Sequence, residues 1–406
     1  MRIGMVTACY KPVINGVTRM VALYKRTMEA LGHEVTVFTL GEPDPGGDEP
    51  GVVRTRGIPL GDTGYYLNFR YTREAQERLR QMDIVHCHHL FMSVEMAHRY
   101  GNCPIVYTNH TRYDLYTGAY SPLPQPAADA IMRQLWPEFT SYCDVIITPS
   151  AGVRDVMRDF GVTQRIEMIP NGIDLRPFQN PTQPCRREEF GIAPDATLLI
   201  YTGRIAAEKG LNKLLAQFAL AHEIAPHISL LLVGKGPHAR RLAQQARELH
   251  IEGAVQLTGA LPYEQIGNVL AMGDAYVTAS VTEVHPLGVI EAMAAGLPII
   301  AVSSPGISDT VVSREHGLLT SSPEGIAGAI VALASDPQKR RRMGAAAREA
   351  SRQYDINITV EQTLDLYREL RATRPDLQRE RQHGRGIRPT ARPVLEQLAT
   401  LLRPPD

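Results

Sequence analysis

The sequence lacks a net charge, a long apolar run and a regular cysteine pattern. Its 43 Lys and Arg residues balance 43 Asp and Glu residues in a chain of 406, so global electrostatics favours neither nucleic acid nor another highly charged partner. No apolar run approaches the ~20 residues that a membrane-spanning helix needs, so we expect any membrane contact to be peripheral. The five cysteines are odd in number and scattered, which is typical of reduced thiols in a cytoplasm rather than of a disulfide framework.

The first residues, "MRIGMVTACY", also lack the features of a signal peptide. One charge precedes a short apolar run, which then reaches Lys11 and Pro12, and this order predicts a strand instead. We therefore expect a cytoplasmic protein, with peripheral attachment to the inner face of the membrane as an open alternative.

Short β-branched runs alternate with amphipathic stretches along most of the chain. In the first half the strand candidates are "RIGMVT", "EVTVFTL", "DIVHCHH", "PIVYTNH", "DVIITPS" and "IEMIP". Helical patterns lie between them, such as "NGVTRMVALYKRTMEALG", which stops at Gly32. Strands that carry helices on both faces of their sheet are buried on both sides, which explains why these runs are nearly all apolar. The alternation predicts an α/β fold with a doubly wound parallel sheet.

The pattern breaks at "NGIDLRPFQNPTQPCRREEFGIAPDA", a stretch rich in proline and charge that we interpret as a domain junction. A second series of strands follows, with the candidates "TLLIYTG", "SLLLVGKG", "AVQLTG", "AYVTAS" and "PIIAVSS". The chain is therefore predicted to form two Rossmann-like doubly wound domains in tandem, facing across a cleft. Ligands of such folds bind at the carboxyl ends of the strands.

We expect four segments along the chain. The first domain spans residues 1–175 and the second spans 176–355, a helix at 356–372 returns toward the first domain, and a basic tail occupies 373–406. We interpret the tail as solvated and poorly ordered, with a basic foot for anionic lipid or for a partner as the alternative.

Two cations follow the first strand of the second predicted domain, in "YTGRIAAEKG". The strand ends at Gly203 and Arg204, and Lys209 precedes the next helical pattern. Cations beside the backbone N–H groups of a helix start form a site for a phosphate group. The next strand ends in "LLVGKGP", where Gly234 allows the backbone to approach a ligand. Each stretch alone is equally compatible with an exposed loop whose charges are solvated.

The stretch "SVTEVHPLGVIEAMAAG" places two carboxylates around a predicted helix start. Pro286 suits the first helical position, because its missing N–H is harmless there. The N–H groups of that first turn would be free to meet an anion or a hydroxyl; they belong to Leu287, Gly288 and Val289. Glu283 precedes the helix, whereas Glu291 lies inside it among apolar neighbours. Burying such a carboxylate costs several kcal/mol unless a specific group accepts it, so Glu291 requires a partner.

These residues carry a resemblance to a known family. "EVHPLGVIE", with seven residues between its glutamates, is similar to the E-x7-E signature of the family 4 retaining glycosyltransferases, which have the two-Rossmann GT-B fold. "GRIAAEKG" is similar to that family's donor-diphosphate motif. The resemblance implies that Arg204 and Lys209 bind the diphosphate of a nucleotide sugar. It also implies that Glu291 binds the ribose diol and that Glu283 lies by the sugar hydroxyls. The residues that would line those hydroxyls are Val284, His285 and Pro286.

The N-terminal half carries the same resemblance. "TACYKPVINGVTRM" is similar to the family's first loop and helix, where a Gly-rich turn lets N–H groups approach the donor phosphates. This chain has Asn15 and Gly16 where many members have two glycines, and Asn tolerates the left-handed conformation better than most residues. "TNHTRYDLYTGAY" is similar to the "HT-x-Y-x-x-Y" stretch of members that glycosylate lipids such as diacylglycerol or phosphatidylinositol. Its His110 matches the family histidine that contacts the donor sugar near the reacting carbon.

By this resemblance the protein would move a hexose from a nucleotide-diphosphate sugar of the UDP-glucose type to a lipid hydroxyl, giving an α-glycoside. The segment "GIPLGDTGYYLNFRYTREAQERLR" supplies aromatic and basic side chains that suit a lipid headgroup. They are Tyr65, Tyr66, Phe69, Arg70 and Arg73. An ordinary loop and helix face is the alternative interpretation of these residues, and a soluble acceptor is the alternative for the reaction.

Other interpretations of the same residues explain less. The run from His86 to His89 suggests a metal, but adjacent strand residues point to opposite faces, so we expect no three of them to converge. The chain has no Asp-x-Asp pair to hold a metal on the diphosphate, so we expect no metal and no cofactor, with the cations and the helix start neutralising the leaving group. A retaining glycosidase holds two carboxyls about 5 Å apart, but hydrolysis does not need the phosphate motif. A non-catalytic nucleotide-sugar-binding protein is the alternative from a different class.

Overall fold

The computed structural model describes residues 1–60, 64–68, 70–115 and 124–373. Two compact units make up the chain: the first comprises Met1–Gly172 together with the segment from Ile356 onward, and the second comprises Ile173–Asp355. The domain limits expected at residues 175 and 355 lie close to these junctions. The basic tail expected from residue 373 lies outside the described residues, apart from Thr373.

The first unit is built around a parallel sheet. Its strands are β1 Arg2–Val6, β2 Glu34–Leu40, β3 Val52–Thr55, β4 Ile58–Pro59, β5 Tyr66–Leu67, β6 Ile84–Cys87, β7 Ile105–Thr108, β8 Val145–Thr148 and β9 Ile166–Met168. Seven of them form the sheet in the order β3-β2-β1-β6-β7-β8-β9, and β4 pairs with β5 as a short antiparallel hairpin. The six predicted strands of this half correspond to β1, β2 and β6 to β9, so these predictions are confirmed. The half-exposed edge strand β3 and the hairpin were not predicted.

Helices cover this sheet, and several of them begin at a residue whose side chain caps the first turn. They are α1 Gly16–Ala30, α2 Arg73–Leu79, α3 Glu95–Tyr100, α4 Gln125–Thr140 and α5 Ala151–Asp159. At the start of α1, the Asn15 side chain accepts a hydrogen bond from the Thr18 N–H and the Thr18 hydroxyl accepts one from the Asn15 N–H, which satisfies two otherwise unpaired donors. The chain leaves α1 through Gly32, whose φ is 82°, as the sequence predicts.

The second unit has a parallel sheet of its own. Its strands are β10 Thr197–Thr202, β11 Ile228–Val233, β12 Val255–Gly259, β13 Ala275–Thr278, β14 Ile299–Val302 and β15 Gly317–Thr320. They lie in the order β12-β11-β10-β13-β14-β15. The five strands predicted from the second series are β10 to β14, and these predictions are confirmed; the edge strand β15 was not predicted.

Helices flank the second sheet as well. They are α6 Arg176–Gln179, α7 Leu211–Ile224, α8 Ala239–Glu248, α9 Ile266–Leu270, α10 Leu287–Ala294, α11 Pro305–Ser308, α12 Ile326–Ala334 and α13 Pro337–Ala350. Two apolar clusters of buried residues fill this unit. One of them, rich in leucine, includes Leu214, Leu215 and Phe218 of α7, all fully buried.

The last described helix, α14 Ile356–Thr373, belongs to the first unit. Tyr24 of α1 contacts the hydroxyl groups of Thr359 and Thr363, and the Tyr367 hydroxyl lies 2.6 Å from Nδ1 of His86 at β6. The buried rings of Tyr24 and Tyr367 attach α14 to the first unit, although the other elements of that unit lie much earlier in the sequence. In the part of the chain that the structure describes, no helix combines the length and apolarity needed to span a membrane.

Both sheets reverse their direction of strand addition at one point, between β1 and β6 in the first unit and between β10 and β13 in the second. In doubly wound folds, ligands bind outside the carboxyl ends of the strands at this switch point. The loops after β10 and β13 contain Arg204, Lys209 and Glu283, which the sequence predicts to bind the donor. The fold therefore brings these two stretches to the same edge of the second sheet.

Candidate active site

The loop between β10 and α7 presents two cations at the edge of the second sheet. Gly203 and Gly210 have φ values of 151° and 63°, conformations in which a side chain would be strained. Between them, Lys209 ends a short 3-10 turn, Ala207–Lys209. The guanidinium of Arg204 is half exposed and forms an ion pair with Glu208, whose side chain is buried. The loop thus holds one exposed and one largely buried cation in a fixed backbone.

Lys209 binds directly to the first glutamate of the E-x7-E stretch. Its Nζ lies 2.7 Å from Oε1 of Glu283, and the same carboxylate oxygen accepts a hydrogen bond from the Ser280 hydroxyl at 2.7 Å. Burial alone would raise the pKa of Glu283, but the charge and hydrogen bond of Lys209 and the Ser280 hydroxyl outweigh it, so the pKa lies below its ordinary value. Glu283 is therefore a carboxylate, and the loops after β10 and β13 are joined by a charged contact.

The helix that follows Glu283 begins one residue later than the sequence predicts. Pro286 precedes α10, and its carbonyl accepts hydrogen bonds from Val289 and Ile290. The Val289 N–H is consequently not available to a ligand, which corrects the prediction. Leu287 and Gly288 donate no backbone hydrogen bond within the described residues, as expected for the first N–H groups of a helix.

Gly288 has a packing role that the sequence did not suggest. A Cβ at this position would lie 2.7 Å from the Tyr276 hydroxyl and 3.1 Å from the Thr202 carbonyl oxygen. The helix start therefore lies against the ends of β10 and β13, and glycine permits this close approach.

Glu291 has a partner inside the protein. It is only 3% exposed, and its Oε1 accepts a hydrogen bond of 2.9 Å from the hydroxyl of Tyr263. Tyr263 begins a 3-10 turn, Tyr263–Gln265, after β12, and its ring packs edge-on against Phe178 at 6.1 Å. Tyr263 was not predicted from the sequence. Its position in "LPYEQ", just beyond the carboxyl end of a predicted strand, is the signal that was available.

His285 lies in the same loop but is buried. Burial lowers its pKa to about 3, so the imidazole is neutral, and its ring packs edge-on against Tyr354 at 5.2 Å. Its Nδ1 is buried and has no hydrogen-bond partner in the described part of the chain. The expectation that His285 lines the sugar hydroxyls stays a prediction.

Gly234 allows two loops to touch each other. A Cβ on Gly234 would lie 1.8 Å from the carbonyl oxygen of Gly203. The same pair of loops is joined by the hydrogen bond from the Ile205 N–H to the Lys235 carbonyl. The glycine in "LLVGKGP" therefore has a structural reason that does not require a ligand.

In the first unit, Asn15 acts as a helix cap rather than as a left-handed turn residue. Its φ of −148° and ψ of 179° are extended, so the tolerance of Asn for the left-handed conformation is not used, and Gly16 is the first residue of α1. The Asn15 amide lies 3.6 Å from the Cys9 sulfur. Cys9 and the other four cysteines are free thiols, as predicted.

Three histidines form a row at the carboxyl ends of β6 and β7. The rings of His86 and His88 are 4.2 Å apart and those of His88 and His110 are 5.4 Å apart, with 3.1 Å between His88 Nδ1 and His110 Nε2. His89 points elsewhere, and its Nδ1 accepts a hydrogen bond from the Ala8 N–H. The alternation expected along the strand is observed, although His110 extends the row. Among the described residues no group of three His, Cys, Asp or Glu side chains could hold a metal ion.

Burial keeps these histidines neutral. It lowers the pKa of His86 to about 3 and that of His89 to about 4. Burial, together with repulsion from neighbouring imidazoles, lowers the pKa of His88 well below its usual range. His86, His88 and His89 are therefore neutral imidazoles, and His110 is less buried than any of them.

The aromatic residues proposed for lipid contact are largely turned inward. Tyr65 packs edge-on against His89 at 5.6 Å, and Tyr66 lies so close to Gly41 that a Cβ there would be 2.5 Å from its ring. Phe69 lies outside the described residues, as does Tyr116 of the "HT-x-Y-x-x-Y" stretch. Strongly exposed apolar side chains of the first unit include Ile14, which precedes α1, and Ile58 of β4, at 77% and 65%.

Comparison with known proteins identifies the fold first. The structure of HepE from Anabaena in complex with UDP superposes with a TM-score of 0.73 over 91% of this chain and all of that chain, at 18% identity. The two doubly wound units are those of the GT-B glycosyltransferases.

The sequence then identifies the family. The model described as "Glycosyltransferase Family 4" matches residues 14–176, and the one described as "Glycosyl transferases group 1" matches residues 183–350. The chain therefore belongs to the glycosyltransferases that combine these two domains.

Curated relatives of this chain are named for different products. The alpha-monoglucosyldiacylglycerol synthase of Streptococcus pneumoniae is 29% identical in an alignment that covers 83% of this chain and 79% of that protein. The alpha-maltose-1-phosphate synthase of Mycolicibacterium smegmatis is 28% identical in an alignment that covers 92% of this chain and the whole of that protein.

Proposed function

We propose that this protein transfers a hexose from a nucleotide-diphosphate sugar of the UDP-glucose type to a hydroxyl of a membrane lipid such as diacylglycerol, giving an α-glycoside. The observation that carries the proposal is the charged contact between Lys209 and Glu283 at the switch point of the second sheet. It sets a cation for the diphosphate and a carboxylate for sugar hydroxyls side by side, next to the start of α10.

The donor would be held by four side chains and two backbone N–H groups of the second unit. Arg204 and Lys209 would bind the diphosphate together with the N–H groups of Leu287 and Gly288, since a helix start favours an anion. Glu291 would accept hydrogen bonds from the ribose diol, and Glu283 from the sugar. Gly203 would contribute to donor binding by allowing the backbone conformation of its loop. Gly234 would contribute by allowing its own loop to pack against the Gly203 carbonyl. The UDP complex of the related HepE fold supports a nucleotide of this kind.

Two assignments rest on the family resemblance with less support from contacts. We assign His110 to the donor sugar near the reacting carbon and the loop at Asn15 and Gly16 to the donor phosphates. The neutral state of the neighbouring histidines suits an imidazole that donates or accepts a hydrogen bond rather than one that carries charge.

The reaction we propose retains the anomeric configuration. The bond between the anomeric carbon and the leaving phosphate oxygen breaks, the acceptor oxygen bonds to the same face of that carbon, and the acceptor proton passes to the departing diphosphate. The cations then act by stabilising the charge that develops on the leaving group. The anomeric configuration of the product, measured by proton NMR coupling, tests this step; a β-glycoside would contradict it.

We further propose that the reaction needs no metal, because Arg204, Lys209 and the start of α10 already supply positive charge to the diphosphate. Turnover should survive dialysis against EDTA. Loss of activity that Mg²⁺ or Mn²⁺ restores would contradict this part of the proposal and leave the assignment of the donor residues intact.

Sequence similarity and exposed apolar and basic side chains support a lipid acceptor. The S. pneumoniae relative is named for a diacylglycerol acceptor, and the "TNHTRYDLY" stretch matches lipid-modifying members. Ile14 and Ile58 are exposed in the same unit, which also has the exposed cations Arg70 and Arg73 in the segment that follows the hairpin. Exposed apolar side chains together with arginines suit the surface of an anionic bilayer.

A donor screen tests the proposed function directly. The protein is incubated with UDP-glucose, UDP-galactose or GDP-mannose and with diacylglycerol micelles, and the product mass is measured. We expect a hexosyl diacylglycerol from a UDP-sugar. Turnover with a soluble sugar or sugar phosphate and none with lipid would favour the second candidate, a soluble acceptor, which the M. smegmatis relative suggests. Nucleotide binding without any product would favour a non-catalytic binding protein.

Vesicle flotation tests the lipid surface independently. Wild-type protein should float with vesicles that contain phosphatidylglycerol, and the double variant Ile14→Ser with Ile58→Ser should float less. Ile224→Ser is the matched control, because Ile224 is 71% exposed at the end of α7 in the second unit. Equal flotation of both variants would remove Ile14 and Ile58 from the proposal.

A further inference from the structure

We propose that Tyr263 is a positioning residue for the nucleotide, acting through Glu291 on the ribose. The inference rests on the proposed function, because it assumes that Glu291 accepts the ribose diol. Tyr263 lies outside every motif that the sequence offers. Because it would act only through Glu291, it should affect recognition of the ribose and of no other part of the nucleotide.

The contact itself is well defined. The Tyr263 hydroxyl donates to Glu291 Oε1 over 2.9 Å, between a turn that follows β12 and a helix that follows β13. Glu291 is 3% exposed and is flanked in α10 by Ile290 and Ala292, both fully buried. The surroundings are apolar, so the carboxylate depends on the few polar groups that reach it.

The ring of Tyr263 is itself held in place. It packs edge-on against Phe178 with 6.1 Å between ring centroids, and Phe178 is 2% exposed. An aromatic side chain has two soft torsions, and a packed ring loses most of that freedom on folding. The hydroxyl is therefore a donor at a fixed point relative to α10, before any ligand arrives.

A fixed donor matters because the last torsion of glutamate is broad and roughly two-fold. Without a partner the carboxylate plane would rotate among several orientations. A carboxylate has about four lone-pair sites, so one hydrogen bond from Tyr263 fixes the plane and leaves acceptor capacity for two hydroxyl groups. Tyr263 thus determines the direction in which Glu291 can accept from a diol.

The test combines one side-chain change with one ligand change. Binding of UDP and of 2′,3′-dideoxy-UDP is measured by calorimetry for wild type and Tyr263→Phe, with Tyr71→Phe as the matched control. Tyr71 is buried in the first unit, and its hydroxyl has no hydrogen-bond partner among the described residues. The Phe ring keeps the packing on Phe178, and thermal unfolding checks that each variant is folded.

We expect Tyr263→Phe to weaken UDP about 10-fold, the size of one hydrogen bond to a charged group, and to leave the affinity for the dideoxy nucleotide unchanged. In a Glu291→Ala background the same change should have no further effect on UDP. Tyr71→Phe should alter neither affinity.

Three outcomes overturn the inference. Equal losses for both nucleotides would mean that Tyr263 acts on another part of the ligand. Additive losses in the Glu291→Ala background would mean that it does not act through Glu291. Equal binding of the two nucleotides by wild type would remove ribose recognition itself. If the wild-type protein did not bind UDP at all, that result would overturn the proposed donor and therefore the proposed function, and not only the role of Tyr263.

Discussion

Lys209 and Glu283 form an ion pair in which Nζ and Oε1 are 2.7 Å apart across 74 residues of sequence. Both side chains are largely buried, at 17% and 20% exposure. The pair joins the loop after β10 to the loop after β13, so each group fixes the position of the other before a substrate binds. A buried pair of this kind is weak evidence for stability, but it is a means of holding two polar groups in a defined geometry.

The first prediction concerns Lys209→Met. Removing the cation should lower kcat about 10²- to 10³-fold, the usual effect of losing one group that stabilises developing charge, and should change the affinity for UDP much less. Steady-state kinetics with calorimetry measures both. Lys213→Met, at an exposed position of α7, is the matched control and should retain wild-type kinetics.

The same variant should change the acid limb of the pH profile. Lys209 holds the pKa of Glu283 below its ordinary value against the effect of burial. Without Lys209, burial dominates and the pKa rises, so activity that requires the carboxylate should be lost at a higher pH than in wild type. An unchanged acid limb would mean that Glu283 is not required as a carboxylate. A fall in UDP affinity that accounts for the whole loss of activity would mean that Lys209 acts on the ground state.

The second prediction concerns Arg204→Lys. The guanidinium can bind two diphosphate oxygens at once, whereas an ammonium is a point charge. The substitution therefore keeps the positive charge but removes the two-point contact with the diphosphate. We expect kcat/KM to fall about 10-fold. Arg240→Lys, at an exposed position of α8, is the matched control. Full activity of Arg204→Lys would show that only net charge is needed at this position.

Sequence patterns predict the central strands of both sheets because those strands are buried on both faces and are therefore nearly all apolar. Only some of the edge strands could be predicted. In β9 and β12 apolar and polar residues alternate, which indicates a strand. The runs of β3 and β15 have only two adjacent apolar residues each, Val52 with Val53 and Leu318 with Leu319, and therefore give no clear pattern.

In the site as well, residues that belong to a local motif can be predicted, whereas contacts between distant parts of the sequence cannot. The positions of Arg204, Lys209 and Glu283 follow from motifs read along the chain, and the topology explains why they lie at one sheet edge. The internal partner of Glu291 does not follow in this way, because Tyr263 lies 28 residues before it and nothing local in either stretch indicates that the two side chains meet. Gly234 shows the converse, since a glycine whose predicted role is to let the backbone approach a ligand is also required by the neighbouring Gly203 carbonyl.

The third prediction follows from that contact. Gly234→Ala adds a Cβ at 1.8 Å from a carbonyl oxygen, at a φ of 152°, so both the clash and the backbone strain oppose the native loop. We expect the free energy of unfolding to fall by about 3 kcal/mol, with weaker UDP binding because the Gly203 loop must shift. Urea unfolding and calorimetry measure the two effects.

Gly328→Ala is the matched control for that substitution. Gly328 lies inside α12 and has nothing within 4 Å of an added Cβ, so alanine should raise the free energy of unfolding by about 0.5–1 kcal/mol. If Gly234→Ala were as stable as wild type, the two loops would not be packed as the structure has them.

The fourth prediction concerns the stability of the fold at low pH. Burial lowers the pKa values of His86 and His89 to about 3 and about 4, and that of His88 well below its usual range, all in the first unit. In the second unit it lowers the pKa of His285 to about 3. An unfolded histidine takes up a proton near pH 6.5, whereas these native histidines do not until the pH is much lower. The unfolded state therefore binds more protons as the pH falls from about 6.5 toward 4, and the folded state loses stability.

Each such histidine contributes a slope of about 1.4 kcal/mol per pH unit within this window. Three of them lie in the first unit and one in the second, so the first unit should lose protection more steeply between pH 6.5 and 5. Hydrogen exchange read by mass spectrometry, corrected for intrinsic rates, measures the two units in one sample. His285→Asn should flatten the slope of the second unit alone, with His227→Asn, at an exposed position, as the control for the substitution itself. Parallel loss of protection in both units, or a slope that His285→Asn leaves unchanged, would show that these buried imidazoles do not set the acid limit of the fold.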